Sequence, residues 1–283
     1  MTAEKAQSQD LLKYHVKSLM ITGIKFLRKE WTMKVAVVTP TIGAKTLSKC
    51  LQSVDEQTYE NLTHYVFLDG EEEHGDKIWN QLQGASKVKT IRLQENIGKG
   101  WYGHRVYAAC GYLVNADLIC YLDEDNWFEP NHIEKLVERI KKGADWAYSL
   151  RNICDKEGNF VCEDNCESLG QWPIYFNPDA YHIDTSSFIV KADIARKLGA
   201  AWYAQWGADR NFFNALKQYF PNFSCSKEYS LNYRLDGNPN SVTAEFFEKG
   251  NAENEKRYVD GFPWKKQFKE EYVVGPGITI VTG

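Results

Sequence analysis

Three acids in succession, Asp123-Glu124-Asp125, follow the apolar stretch Leu118 to Leu122 and precede Trp127 and Pro130. On extended backbone, residues two apart face the same side, so Asp123 and Asp125 can converge on one ligand. Two hard carboxylates at a strand end suit Mg²⁺ or Mn²⁺ holding a diphosphate, because small divalent cations take oxygen donors and share them with phosphates. Asp69 closes another apolar stretch before Gly70. An acceptor there takes hydrogen bonds from a base or ribose, or merely forms a turn. Asn96-Ile-Gly-Lys-Gly100, with Gly98 at its centre and His104 and Arg105 beyond it, offers backbone donors and cations suited to phosphate. Asp209 opens a stretch of helical periodicity, where an Asp is ordinarily a cap.

These residues need elements to hold them. Val35–Val38, His64–Leu68, Val88–Leu93 and Leu118–Leu122 read as strands, separated by helical stretches such as Leu47 to Val54 and Arg105 to Val114. Such alternation predicts an α/β fold with a largely parallel sheet covered by helices. Right-handed crossovers then bring the strand-ending loops, with Asp69, Asn96 and Asp123, to one sheet edge. Asn131, with Glu134 three residues on, predicts a capped helix ended by Gly143. The second half is more mixed, with strands at Trp146–Ile153, Phe160–Glu163, Tyr181–Lys191 and Lys227–Leu235 and helices at Ala192–Leu198 and Ala208–Tyr219. Three segments are expected: an amphipathic helix within 1–33, a catalytic domain over 34–243 and an extension over 244–283.

Composition narrows the classes. The 283 residues are 43% hydrophobic and 25% charged, which excludes bulk disorder. Thirty-four Lys and Arg against thirty-eight Asp and Glu leave a net charge of −4, so no general basic field draws the protein to nucleic acid. The longest apolar runs are strand-sized, too short for a bilayer. The start, Met1 to Asp10, shows no basic region followed by an apolar one, so a cytoplasmic protein with free thiols is expected. Cys162 and Cys166, near Cys154, lack the second close Cys or His pair of a structural zinc site. The helix expected over Gln9 to Glu30 interleaves Leu12, Val16, Leu19 and Leu27 with Lys13, Lys17, Lys25 and Arg28. It suits packing or a homodimer contact, or else peripheral attachment to an anionic membrane. The unusual figure is 14% aromatic residues. Among them Trp172, Tyr175, Trp202, Tyr203 and Trp206 precede Asp209 and offer faces on which an acceptor sugar could stack.

The strand ending at Thr39-Pro-Thr-Ile-Gly43 has neither Gly-x-Gly-x-x-Gly nor a P-loop, which weighs against dinucleotide and simple nucleoside-triphosphate sites. Taken together, Val37-Val-Thr-Pro-Thr41, Leu68-Asp-Gly70, Asn96-Ile-Gly98, Leu122-Asp-Glu-Asp125, Ala208-Asp209 and Tyr233-Arg-Leu-Asp-Gly-Asn-Pro-Asn-Ser241 resemble the family 2 glycosyltransferases. The resemblance covers roughly Lys34 to Ser241. It implies a GT-A fold and an inverting transfer from a nucleoside-diphosphate sugar, most simply a UDP-sugar, to a glycan or other hydroxyl. It implies Thr39, Pro40, Thr41 and Asp69 at the nucleoside, Asp123 and Glu124 beside the donor, Asp125 on the metal, and Asp209 as base. Two departures stand out. The acid that precedes the base in the family is Ala208 here, and Asp236 stands where relatives often have a metal-binding His. Asp236 either keeps an oxygen ligand for Mn²⁺ or Mg²⁺ or is a turn residue. A nucleotidyltransferase and a sugar-binding module without turnover are the alternatives.

Overall fold

In the computed structural model the apolar stretch Val35–Thr41 is strand β1, buried at every position as a strand covered on both faces must be. The structure describes residues 32–235 and 242–266 and the backbone of two later strands. The segment Gln9 to Glu30 and Asp236 lie outside the described residues. Met33–Gly283 forms one compact unit.

After β1 come α1 (Leu47–Asp55), β2 (Leu62–Asp69), α2 (Glu71–Leu82), β3 (Val88–Leu93), α3 (His104–Leu113) and β4 (Leu118–Tyr121). The four strands lie in the order β3-β2-β1-β4 and pair in parallel, as the alternation predicts. The sequence reading has no helix between Asp69 and Val88. Helix α2 buries only Ile78 fully, so its apolar period is weak, but Glu71, Glu72 and Glu73 crowd its first turn, where the helix dipole favours acids.

Beyond β4 the sheet becomes mixed. β5 (Trp127–Phe128), α4 (His132–Lys141), β6 (Trp146–Cys154), β7 (Phe160–Glu163), β8 (Phe188–Lys191), α5 (Ala192–Leu198), α6 (Ala208–Tyr219) and β9 (Phe223–Arg234) follow. The order continues β4-β8-β6-β9-β5, with β8 antiparallel to both neighbours and β7 folded back on β6. Only the end of the strand expected over Tyr181–Lys191 forms. Thr185–Ser187 is instead a 3-10 turn, because the Asp184 carboxylate accepts the Ser186 amide and caps it. Asn131 does occupy the cap position of α4 but makes no side-chain cap bond, and Glu134 is held by Thr58 Oγ1 at 3.0 Å.

Large rings fill one side of the sheet. Trp146, Trp202, Phe212, Phe213 and Trp264 belong to one buried cluster, and each such ring removes roughly 150–250 Å² from water. Val35, Val37, Leu118, Ile133 and Leu136 pack on the other side beneath α1 and α4. Phe247 of α7 (Ala244–Arg257) and Trp264 are fully buried, so residues 244–266 dock on the sheet domain. β10 (Glu270–Val273) and β11 (Thr279–Thr282) form an antiparallel pair.

Candidate active site

Because β1, β2 and β4 run in parallel, their carboxyl ends open at one edge, where ligands of such sheets bind. A cavity of about 850 Å³ lies there, lined by Pro40, Thr41, Asp69, Asn96, Gly98, Lys99, Asp123, Glu124 and Asp125 among others. Its turns are held by carboxylates. Asp69, 2% exposed, accepts the amides of Ile97 and Gly98, each at 2.8 Å. Gly98 must be bare, since a Cβ there would sit 2.3 Å from Asp69 Oδ2. Gly103, with φ 73°, starts α3 so close to β1 that a Cβ would lie 2.7 Å from Pro40 Cγ. Glu124 grips the turn after β1, accepting the Thr41 hydroxyl and the Ala44 amide, the latter at 2.9 Å. Both acids therefore shape the pocket wall through backbone bonds. Asn96 Oδ1 is buried on this wall and, among the described residues, has no partner.

Asp123 stands at the far side. Tyr107 donates to its Oδ1 at 2.7 Å, Ser186 Oγ donates to its Oδ2 at 3.3 Å, and its amide donates to the same Ser186 oxygen at 3.1 Å. Loss of water, and then the charges of Asp125 and Asp184, push its carboxyl well above the usual carboxylate range. Asp123 and Asp125 thus share one stretch of the cavity wall, oxygen donors of the type that divalent cations take. Among the described residues no group of three or more His, Cys, Asp or Glu could hold a metal ion. Mg²⁺ commonly takes only one or two protein carboxylates and fills its shell from phosphates, and Asp123 and Asp125 both line the larger cavity.

A second cavity, about 260 Å³, is lined by Asp123, Arg151, Glu167, His182, Asp184, Trp206, Asp209, Arg210 and others. Tyr102, His104, Asp123, Thr185 and Tyr233 line both cavities. Gly207, with φ 78°, caps α6, so Asp209 lies one step inside the helix rather than capping it. Asp209 Oδ1 accepts the Arg210 amide at 2.8 Å, and Oδ2 stands 3.6 Å from His182 Nε2. The floor is an ion cluster that the sequence reading missed. Arg151, 2% exposed, donates from Nε to Asp164 at 2.8 Å, from NH1 to Asp184 at 2.7 Å and from NH2 to Glu167 at 2.6 Å. Burial works against Asp164, yet Arg151 and the amides of Ser168, Cys166 and Glu167 hold its carboxyl below the usual range. Through Asp184 and Ser186 the cluster connects to Asp123. The signal was present: an arginine inside the apolar strand Trp146–Cys154 needs buried acids, and Glu163-Asp-Asn-Cys-Glu167 supplies two.

Several expected contacts fall elsewhere. Thr39 is fully buried and its hydroxyl bonds His64 Nε2 at 2.8 Å, so its side chain serves the core and not the nucleoside. The Arg105 guanidinium lies 4.1 Å over Trp101 and donates to Ile97 O at 3.2 Å; Lys99 is the cation lining the larger cavity. Trp202 is fully buried against Phe212, 4.5 Å away, which removes it as an acceptor platform. Trp172 packs on Trp264 at 5.5 Å, away from both cavities. Trp206, 71% exposed, does line the smaller one. Asp125 lines the larger cavity, while Asp236 lies outside the described residues. No described helix is long and apolar enough to cross a membrane.

Comparison with known proteins adds to this geometry. The family model "Glycosyl transferase family 2" matches residues 36–190. Over 116 residues the chain is 31% identical to the glucosyl-dolichyl phosphate glucuronosyltransferase of Haloferax volcanii, covering 40% of this chain and 36% of that protein. Over 141 residues it is 28% identical to an uncharacterized glycosyltransferase of Nostoc sp., covering 49% of this chain and 42% of that one. The chain thus spans under half the length of these relatives. S. aureus TarS 1-349 in complex with UDP superposes with a TM-score of 0.55 at 12% identity, covering 81% of this chain and 72% of that one. The UDP-GlcNAc complex gives 0.54 at 13%, covering 76% and 64%. The likeness is one of fold, and that fold is GT-A.

Proposed function

The chain belongs to glycosyl transferase family 2, and from that premise we propose that it moves a sugar from a UDP-sugar to an acceptor hydroxyl with inversion. The observation that carries this reading is the meeting of two cavities at Asp123, one large and walled by backbone turns, the other small and holding Asp209. The TarS complexes with UDP and UDP-GlcNAc support a nucleotide-sugar donor in the larger one. There Pro40 and Thr41 face the nucleoside, and the unpartnered Asn96 Oδ1 accepts a hydrogen from base or ribose. Lys99 and the α3 N-terminus at Gly103 and His104 face the diphosphate.

A Mn²⁺ or Mg²⁺ ion would be held by Asp125 and Asp123 with diphosphate oxygens, and would neutralise charge on the leaving group. Asp209 does the proton work. Its Oδ1 is fixed by the Arg210 amide, and Oδ2, 3.6 Å from His182 Nε2, orients and then deprotonates the acceptor hydroxyl. Asp209 sits in the first turn of α6, and proton transfer to it accompanies departure of the diphosphate from the anomeric carbon. Attack from the smaller cavity on a carbon held in the larger one is direct displacement, which inverts the anomeric centre.

The first test is calorimetry with UDP-sugars, with Mn²⁺ and with chelator. Donor affinity should fall on chelation, and equal affinity would remove the metal from the site. The second is Asp209→Asn. It should leave donor affinity and melting temperature near wild type while turnover, scored as UDP release, drops by about 10²–10⁴. Near-normal turnover would take Asp209 out of the mechanism.

A further inference from the structure

We propose that the smaller cavity selects an uncharged sugar ring as the reacting unit of the acceptor, and turns away a ring that carries a phosphate or carboxylate. The inference rests on reading that cavity as the acceptor side.

Size comes first. At about 260 Å³ the cavity lies just below the roughly 300–1,000 Å³ of sites for drug-sized ligands, room for one ring rather than a chain. Charge comes next. Asp123, Glu167, Asp184 and Asp209 line it against Arg151 and Arg210, with the imidazoles of His104 and His182 beside them. The Arg151 guanidinium is fully engaged and that of Arg210 partly so. Each nitrogen of Arg151 is bound to a carboxylate and its plane faces the Tyr233 ring at 4.4 Å, so no fork is left for an anion. Arg210 lies 4.6 Å over the Trp206 ring with NH2 3.7 Å from Glu167. A phosphate or uronate entering here meets Asp209 and a floor where carboxylates outnumber guanidinium groups, and like charges at short range in a half-buried site repel. A hydroxyl-bearing ring meets acceptors for its O–H groups instead, since ionised Asp and Glu only accept.

The rim points the same way. Trp206 and Tyr102 are 71% and 62% exposed, and both line the cavity. Exposed ring faces beside a polar floor match a pyranose, which has an apolar face and polar edges. Tyr102 also adopts φ 52°, a left-handed conformation that costs a non-glycine residue and concentrates at ligand sites.

The test uses the full chain and saturation-transfer NMR, with and without UDP. The probes are lactose, maltose, cellobiose and chitobiose, each beside a counterpart whose non-reducing ring carries a 6-phosphate or a uronic acid. At least one neutral disaccharide should receive saturation on its non-reducing ring, and its charged counterparts should bind at least ten-fold more weakly. Trp206→Ala should weaken the neutral probe about three- to ten-fold. Two results would overturn the proposal: charged probes binding as well as neutral ones, with the binding lost in Arg210→Ala, or no disaccharide binding at all while UDP still binds. The donor assignment fails separately, if UDP itself does not bind while a Trp206-dependent neutral probe does.

Discussion

At the turns of the larger cavity two carboxylates bind mainly backbone: Asp69 takes the amides of Ile97 and Gly98, and Glu124 takes those of Ile42 and Ala44. At the smaller cavity Asp164, Glu167 and Asp184 also share one side chain, all three gathered on Arg151. The contrast has a physical consequence. Backbone amides are present whatever the side chain, so the donor wall is sensitive mainly where a glycine allows close approach. A side-chain cluster depends on each member, and losing Arg151 leaves three acids facing each other with only Arg210, 3.7 Å from Glu167, to offset them. The donor side should therefore resist most substitutions, and the acceptor side should be open to change at its rim but not at its floor.

Arg151→Met strikes the floor and carries the largest expected effect. Removing one partner of a buried ion pair costs about 3–5 kcal/mol. For a chain of this size that lowers the melting temperature by roughly 10 °C. The pH dependence follows from Asp164, whose carboxyl is held below the usual range. Such a group stabilises the wild type above its unfolded pKa, and that stability is lost as pH falls through the lower folded value. In the variant the stranded acids are pushed up instead, which favours folding at lower pH. The deficit should accordingly hold steady down to about pH 5 and narrow as pH falls through the ordinary Asp value of 3.8, as read in thermal melts. A constant deficit would mean that packing, not charge, holds the floor.

The same contrast explains what was legible in the sequence. Asp69, Asn96 and Asp123 could be placed together because apolar parallel strands announce where they end, and strand ends converge. Asp209 followed from helical periodicity plus the family motif. Arg151 and its three acids were not foreseen, since Asp164, Glu167 and Asp184 lie in segments without a period, and only folding brings them to one strand. Trp202 and Trp206 differ for a similar reason. They are four residues apart and chemically identical, yet the turn Gly199–Trp202 drives the first beneath Tyr107 and Tyr121 and leaves the second at the rim. The pattern shows which residues are aromatic, but the turn decides which of them meets solvent.

Gly98→Ala tests the donor wall where it is vulnerable. The new Cβ would sit 2.3 Å from Asp69 Oδ2, so the turn or the carboxylate must shift. Overpacking of this kind costs about 1–3 kcal/mol. UDP affinity measured by calorimetry should fall with it, because Asn96 and Lys99 ride on the same turn. Unchanged affinity beside a lowered melting temperature would show that the turn shapes the fold without shaping the donor site.

The smallest effect belongs to Thr39→Val, which separates the buried interior of β1 from its open end. Thr39 and Thr41 are two residues apart, yet only Thr41 lines the cavity. The Thr39 hydroxyl bonds His64 Nε2, and burial keeps that imidazole neutral, its pKa lowered to about 3. Valine preserves the shape and deletes the hydroxyl, leaving a buried ring nitrogen without its partner. An unsatisfied buried group costs about 1–3 kcal/mol, and the close match in volume adds no cavity, so a loss of about 1 kcal/mol in denaturant unfolding is expected. UDP affinity should be unchanged within error, because the lost atom faces the core. Thr39→Ser, which keeps the hydroxyl, should restore the hydrogen bond with His64 while giving up a methyl group. If instead UDP affinity fell ten-fold in Thr39→Val with stability intact, the hydroxyl would belong to the nucleoside site, and the division between a core-facing Thr39 and a cavity-facing Thr41 would fail.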